Sequence, residues 1–420
     1  MNQQPELSII IPTHNRRELL GRVLNSLANQ SYPPDRFEVL VIADACEDDT
    51  ESMINALAKK LPLSIRVFSH NERSASLTRN RGVKEARSKH LLFLDDDIIA
   101  SHELVEAHLK LKDETRVVLG YSKPVIPERA SWWQLDARIW WEDRYKEMRT
   151  LGYRFNYRDF FSGNVSLSAD LFKRVGGFDP TIGNRLEDYE IGYRLLKIGA
   201  RFVLQPSALG FHYDYSDLQL WLKRIQQEGL ADIQMSLLHS ELVSQIFFNH
   251  YEELDQITQR IRKLSFSGSK SAGAFKHVAL WLVRCCEYLK LRGAYYNVLG
   301  ALREYYYWSG VAGASGGQHR LRSILQEAPL TPALELTAPE LDLGAIPDEI
   351  TISKILAIAD HSGLRLAYKG IEIFTLAPTP GSESLKIEHI NHIYQNYLSN
   401  NFLPALTFNA LLEEEKENGD

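Results

Sequence analysis

Leu7-Ser8-Ile9-Ile10-Ile11-Pro12-Thr13-His14-Asn15-Arg16 is the stretch on which the reading of the fold turns. Its short, continuous apolar run is that of a strand buried on both faces, and Pro12 stops it. Asn15 followed by Glu18 reads as a capping box, after which Leu19, Leu20, Val23, Leu24 and Leu27 share one helical face. Tyr32-Pro33-Pro34 ends this first unit.

The unit then repeats. Phe37 to Ala43 is a second buried strand ending on Asp44, and Met53, Ile54, Leu57 and Leu61 mark a second helix. Ile65 to Phe68 and Ser76 to Ala86 form the third pair, and Leu91 to Leu94 is a fourth strand running into Asp95-Asp96-Asp97. Strand–helix alternation with short links predicts an α/β fold with right-handed crossovers and a mostly parallel sheet flanked by helices. Ligands of such sheets sit at the carboxyl ends of the strands. Here those ends carry Thr13, His14, Asn15, Asp44 and the aspartate triplet. No Gly-x-Gly-x-x-Gly follows the first strand, and Gly268-Ser269-Lys270-Ser271 lacks both the Gly before the Lys and a preceding buried strand of a P-loop.

The whole chain sets bounds. Its 420 residues suit two or three domains, and 44% apolar residues suffice for their cores. A formal net charge of -6 argues against a dedicated nucleic-acid binder. Part of that charge lies in the acidic tail from Glu413 to Asp420, read as a solvated end. Cys46, Cys285 and Cys286 make neither a disulfide framework nor a zinc-site spacing. The first residues lack the basic flank and apolar core of a signal peptide, and no run of about 18 apolar residues occurs. A cytoplasmic address is the expectation, at the inner membrane surface if membrane contact is made.

Two acidic features carry chemistry. Three adjacent carboxylates after a buried strand repel one another unless a cation neutralises them, and hard oxygen donors suit Mg²⁺ or Mn²⁺ shared with a diphosphate. The competing reading is a solvated acidic turn. Leu186-Glu187-Asp188-Tyr189-Glu190 opens a helix continued by Ile191, Leu195 and Ile198. Acids there either answer the helix dipole or act as a general base.

Seven motifs in order carry a resemblance to the family 2 glycosyltransferases, inverting enzymes of GT-A fold. They are Ser8 to Arg16; Val41-Ile42-Ala43-Asp44; Leu77 to Gly82; Phe93 to Asp97; Ser162 to Ser166 with Val175 to Asp179; Glu187-Asp188; and His212. Together they span roughly residues 6 to 235. The resemblance implies that Pro12, Thr13, Asn15, Asp44, Arg79, Asp95 and Asp96 bind the nucleotide-sugar. It implies that Asp97 and His212 hold the metal, and that Asp188 is the catalytic base with Glu187 as its support. Asn164 falls in the motif on the acceptor side. The chain departs from the pattern at Ala43-Asp44-Ala45-Cys46, where relatives usually have paired acids before a Gly-Ser turn; this leaves the identity of the base open.

Between the metal strand and the base helix lies an aromatic cluster that includes Trp132, Trp133, Trp140 and Trp141. Flat rings stack on sugar faces, which makes Trp140 and Trp141 candidate acceptor contacts; core packing is the alternative. The predicted organisation is a GT-A domain over 1–235, with a nucleotide-sugar half to about 120 and an acceptor half from 121. A helical extension over 236–308, a Gly-rich linker at 309–319 and a small α+β module over 320–420 follow. The module holds a Pro329-Leu330-Thr331-Pro332 break, a strand at Ile371 to Phe374 and a helix from Ser384 to Leu398. The basic, aromatic stretch from Phe275 to Trp308 either lies on an anionic membrane or packs on its own domain. The reading implied is transfer of a sugar to a saccharide or lipid-linked acceptor in polysaccharide or glycoconjugate synthesis. The alternatives are a catalytically degenerate scaffold and, less well matched after the first strand, a nucleotidyltransferase.

Overall fold

The computed structural model describes residues 4–183, 185–246, 256–327, 338–344 and 348–393. They fall into two compact units, one of residues up to 145 with 156–328 and one of 146–155 with residues from 329 onward.

The first unit opens with the expected alternation: β1 (Leu7–Thr13), α1 (Arg17–Ala28), β2 (Phe37–Asp44), α2 (Thr50–Ala58), β3 (Ser64–His70), α3 (Ala75–Glu85) and β4 (His90–Leu94). β1, β2 and β3 pair in parallel, and β4 joins β1 in parallel on the other side. Strands β1 and β2 are almost wholly buried, which is why they read as unbroken apolar runs. β3 lies at the sheet edge and is half-exposed, and its Ser64, Arg66, Ser69 and His70 suit that place. Ile9, Ile11, Val39 and Val41 pack against Leu20, Val23, Leu24 and Leu27 of α1.

The sheet continues through β5 (Ile98–Ala100), α4 (Leu104–Lys110), β6 (Arg116–Pro124), α5 (Trp132–Met148), β7 (Asn164–Ser168), α6 (Ala169–Arg174), α7 (Glu187–Lys197) and β8 (Arg201–His212). The strand order is β3-β2-β1-β4-β7-β6-β8-β5. β7 runs antiparallel to β4 and β6, and β5 antiparallel to β8. β6 and β8 pair in parallel, so the sheet is mostly parallel as expected, with antiparallel pairings only at β7 and β5.

Among the described residues the α-helices α8 (Leu218–Leu238), α9 (Gln256–Ser267), α10 (Lys270–Tyr288), α11 (Arg292–Ser315) and α12 (Gln318–Glu327) follow. The Gly-rich stretch read as a linker is helical through Ser315. Within it Gly310 serves packing: a Cβ there would lie 1.9 Å from the Gln226 carbonyl oxygen of α8, and one on Gly229 of α8 would lie 2.2 Å from that of Tyr307. Small residues let α8 and α11 touch backbone to backbone. Gly268-Ser269 is the turn into α10, with the Ser269 hydroxyl accepting from Ala272 N.

The capping box at Asn15 does not form. α1 starts at Arg17, while Asn15 takes a left-handed φ of 52° and its side-chain oxygen accepts from Glu47 N. The amide is spent bracing the loop after β2.

The second unit holds β9 (Glu340–Asp342), α13 (Glu349–Ser362), β10 (Leu364–Tyr368), β11 (Ile371–Leu376) and α14 (Ile387–Ile393). β10 and β11 form a hairpin, and β9 pairs with β10 in parallel. The expected strand at Ile371 is present. Of the helix expected from Ser384 to Leu398, the structure shows Ile387–Ile393; residues 394–398 lie outside the described residues, as do the Pro329–Pro332 break and the acidic tail. Residues 146–155, expected within the transferase domain, belong to this unit. The Arg154 guanidinium donates to Asp360 Oδ1 at 3.1 Å, Thr379 Oγ1 at 2.6 Å and the Glu383 carbonyl at 2.6 Å.

Candidate active site

The carboxyl ends of β1, β2 and β4 meet in one cleft of about 1300 Å³ in the first unit. The triplet is placed by the sheet. Asp95 N donates to the Gly163 carbonyl at 2.9 Å, and Tyr213 N donates to the Asp97 carbonyl at 2.9 Å. The pairing of Ile98 with His212 then brings His212 Nε2 to 3.5 Å from Asp97 Oδ1.

Neighbouring acids in the triplet are driven apart. Burial would raise the Asp97 pKa, but His212 and Arg16 outweigh it and hold the carboxyl well below the usual range. For Asp96 burial wins over Arg16, and the group is pushed up to about 7, although Thr13 Oγ1 donates to it at 2.7 Å. The Arg16 guanidinium bridges Asp96 and Asp97. Asp97 Oδ1 is buried without a hydrogen-bond partner. His212 is raised: burial lowers it, yet the Asp97 carboxylate prevails.

Asp44 lines the cleft, but its oxygens accept from Arg73 N at 2.9 Å, Ser74 N at 2.9 Å and Thr78 Oγ1 at 2.8 Å. It thereby ties the start of α3 to the end of β2. The buried Arg79 on α3 reaches Asp95 Oδ1 and Glu187 Oε1, each at 3.0 Å. Pro12 and Thr13 line the cleft as expected; Asn15 does not, for the reason given above.

The opposite wall begins at Leu186, whose φ of 63° is left-handed, a strained state for a leucine and one common at functional sites. It aims Glu187 and Asp188 from the first turn of α7 into the cleft. Tyr189 N donates to Asp188 Oδ1 at 2.9 Å. Burial, and then the Glu187 carboxylate, push Asp188 up to about 7 against the pull of Arg185 and Arg79. A carboxylate poised there suits a general base at neutral pH.

Trp140 and Trp141 of α5 line the cleft; Trp140 is half-exposed, and Trp141 packs edge-on against it and against Phe161. Asn164, expected as an acceptor contact, is a correction. It is buried on β7, where its Oδ1 pairs with His108 Nε2 at 2.9 Å and its Nδ2 donates to the Ala208 carbonyl at 3.0 Å. The amide is fully used inside the core and lies outside the cleft.

The sequence reading missed two groups. Arg16 was within the quoted motif, and a cation just after the β1 turn facing an acidic triplet was the available signal. Trp221, Arg224 and Asp232 of α8 and Tyr296, Arg303 and Tyr307 of α11 close the cleft. The Tyr307 hydroxyl donates to Asp232 at 2.6 Å, while burial pushes that acid up to about 6. No local pattern marks these helical positions. Among the described residues no group of three or more His, Cys, Asp and Glu side chains gathers as a metal site.

Residues 8–176 match the family described as glycosyl transferase family 2. This segment is a family 2 glycosyl transferase domain. Residues 142–216 of the transferase domain and its flank also match the family described as N-terminal domain of galactosyltransferase. The chain is 34% identical over 234 residues to validoxylamine A glucosyltransferase of Streptomyces hygroscopicus subsp. limoneus, covering 49% of this chain and 51% of that one. It is 27% identical over 249 residues to chondroitin synthase of Pasteurella multocida, covering 51% of this chain and 25% of that one. The chain thus spans about half the length, or less, of these curated relatives. Among solved structures, the mannosyltransferase PcManGT from Pyrobaculum calidifontis, in complex with GDP-Man and Mn²⁺, superposes with a TM-score of 0.50 at 18% identity. That match covers 74% of this chain and 87% of that one. The transferase domain has the GT-A fold.

Proposed function

We propose that this chain moves a sugar from a nucleotide diphosphate-sugar to an acceptor hydroxyl, with inversion, in polysaccharide or glycoconjugate synthesis. The observation that carries the reading is that Asp97 and Asp188, 91 positions apart, face one cleft, and that Arg79 joins Asp95 and Glu187, which lie beside them in the chain. In an inverting transfer the acceptor oxygen attacks opposite the departing diphosphate. A carboxylate must take its proton on one side while cationic groups offset charge on the other.

Asp188 is placed for the first task, with Glu187 beside it setting its proton affinity. Pro12, Thr13, Asp44, Arg79, Asp95 and Asp96 form the nucleotide-sugar side. Here Asp44 and Arg79 act by shaping the pocket, since their polar atoms hold protein partners. Trp140 and Trp141 offer flat apolar faces to a saccharide acceptor.

The donor set fits Mg²⁺ or Mn²⁺. Asp97 Oδ1 is buried and makes no hydrogen bond, with His212 Nε2 3.5 Å away. These two would hold the ion, with diphosphate oxygens completing its shell. Bound there, it would offset negative charge on the leaving diphosphate. Arg16, already between Asp96 and Asp97, supplies positive charge to the same region.

Thermal shift with a panel of nucleoside diphosphates, with and without Mn²⁺, tests the donor site. A Mn²⁺-dependent rise in Tm for one base, lost in Asp97→Ala, is the expected result. No rise with any nucleotide would overturn the reading in favour of a degenerate scaffold. Among the described residues no helix is long and apolar enough to cross a membrane.

A further inference from the structure

The transfer reading leaves α10 without a role. One of its faces is plain core: Ala279, Leu280, Val283 and Cys286 pack with Leu222, Tyr295, Leu299 and Leu302. The other face is apolar as well. Val278, Trp281 and Tyr288 recur at helical spacing on the side away from that core and are 55%, 63% and 86% exposed. Leu289 and Leu291, in the turn between α10 and α11, are also more than half exposed. A soluble helix seldom leaves a Trp and a Tyr bare on one stripe beside two leucines.

The charge around this stripe is one-sided. Arg284, Lys290 and Arg292 stand against the single acid Glu287, in a chain whose net charge is -6. Glu287 is turned inward, its Oε1 accepting from Trp132 N at 2.9 Å. Arg284 and Lys290 are exposed beside the aromatic stripe. Aromatic rings with basic neighbours match the boundary of a bilayer, where the rings enter the headgroup layer and the cations meet anionic lipid. A second copy of this chain is a poor occupant, because a two-fold contact would set the basic patch against itself.

We infer that the outer face of α10 and the α10–α11 turn dock on an anionic lipid surface. The inference deepens the transfer reading at its acceptor end. α11 starts at Arg292, and four residues on its Tyr296, then Leu299 and Arg303, line the cleft. Docking through the turn holds that end of the cleft near the headgroups, where a lipid-linked acceptor hydroxyl lies.

Co-sedimentation of the full chain with vesicles of phosphatidylcholine, alone or with about one-third phosphatidylglycerol, tests this without requiring transfer. Two double variants, Trp281→Ala with Tyr288→Ala and Arg284→Glu with Lys290→Glu, change exposed residues outside the cleft; an unchanged Tm and nucleotide response verify their fold. The expected result is a partition onto anionic vesicles that falls about tenfold or more in each double variant. Wild-type protein that ignores anionic vesicles, or variants that bind as wild type does, would overturn the inference. So would sedimentation velocity showing a dimer that the Trp281→Ala, Tyr288→Ala variant abolishes. A failure here leaves the nucleotide-dependent Tm shift untouched, so the two readings fall separately.

Discussion

Arg79 Nη1 lies 3.0 Å from Glu187 Oε1 across 108 positions of sequence, joining the nucleotide-side helix α3 to the first turn of α7. The same guanidinium holds Asp95 at 3.0 Å. Burying one cation between two carboxylates makes each dependent on the others. Removing the cation leaves two acids facing each other in a recess. We expect Arg79→Ala to cost about 3 kcal/mol or more of stability, read by denaturant unfolding, and to lower kcat even at saturating donor. Arg79→Lys should recover part of the stability but less of the turnover, since an ammonium cannot span both partners in a fork.

The base should declare itself in the pH profile. Only ionised Asp188 accepts a proton, and burial with Glu187 pushes it up to about 7. We therefore expect kcat/KM to rise with pH through about 7. Glu187→Gln removes the like charge and should move that limb to lower pH, the direction opposite to a mere loss of positioning. A limb that stays near 4 in the wild type would remove Asp188 from the role.

Asn164 offers a test of a structural reading against the binding role first expected. It accepts from His108 in the core, and the imidazole, held down to about 4 by burial, is neutral with its Nδ1 turned to Ser166 Oγ at 2.9 Å. Asn164→Ala should destabilise by about 1–3 kcal/mol, leaving a buried donor unpaired, while acceptor KM stays put. The same ring gives a pH dependence. Its folded pKa lies below the unfolded value of about 6.5, so the unfolded state binds more protons between the two. His108 should lower Tm as pH falls from about 6.5 towards 4, and His108→Gln should flatten that slope.

Trp140 stands half-exposed in the cleft, on the side proposed for the acceptor. Trp140→Ala should raise acceptor KM about fivefold to tenfold by removing a stacking face. Nucleotide affinity, measured by calorimetry, should not change.

Much of this was legible in the sequence, for particular reasons. β1, β2 and β4 are buried on both faces, so their apolar runs stand out, and the polar residues that end them collect at one edge of a parallel sheet. That is how Thr13, Asp44 and Asp97 could be picked out, whereas Asp188, in the first turn of α7, rested on the resemblance. Asn164 misled because a motif says which residue is present and not where it points; on β7 it turns into the core. Residues 309–319 read as a linker because glycine marks both flexible chain and close helix contact, and at Gly310 only the partner helix α8 tells them apart. Arg154 could not be assigned from local pattern, since its partners Asp360, Thr379 and Glu383 are more than 200 positions away.

The most direct test compares Asp188→Asn with the wild type in single-turnover transfer to an accepted saccharide, with nucleoside diphosphate affinity measured on both. Asparagine keeps the shape and loses the base. We expect affinity within about twofold and turnover reduced by about 10²–10⁴. Turnover within about tenfold of wild type, with affinity intact, would contradict the assignment of Asp188 and the mechanism built on it.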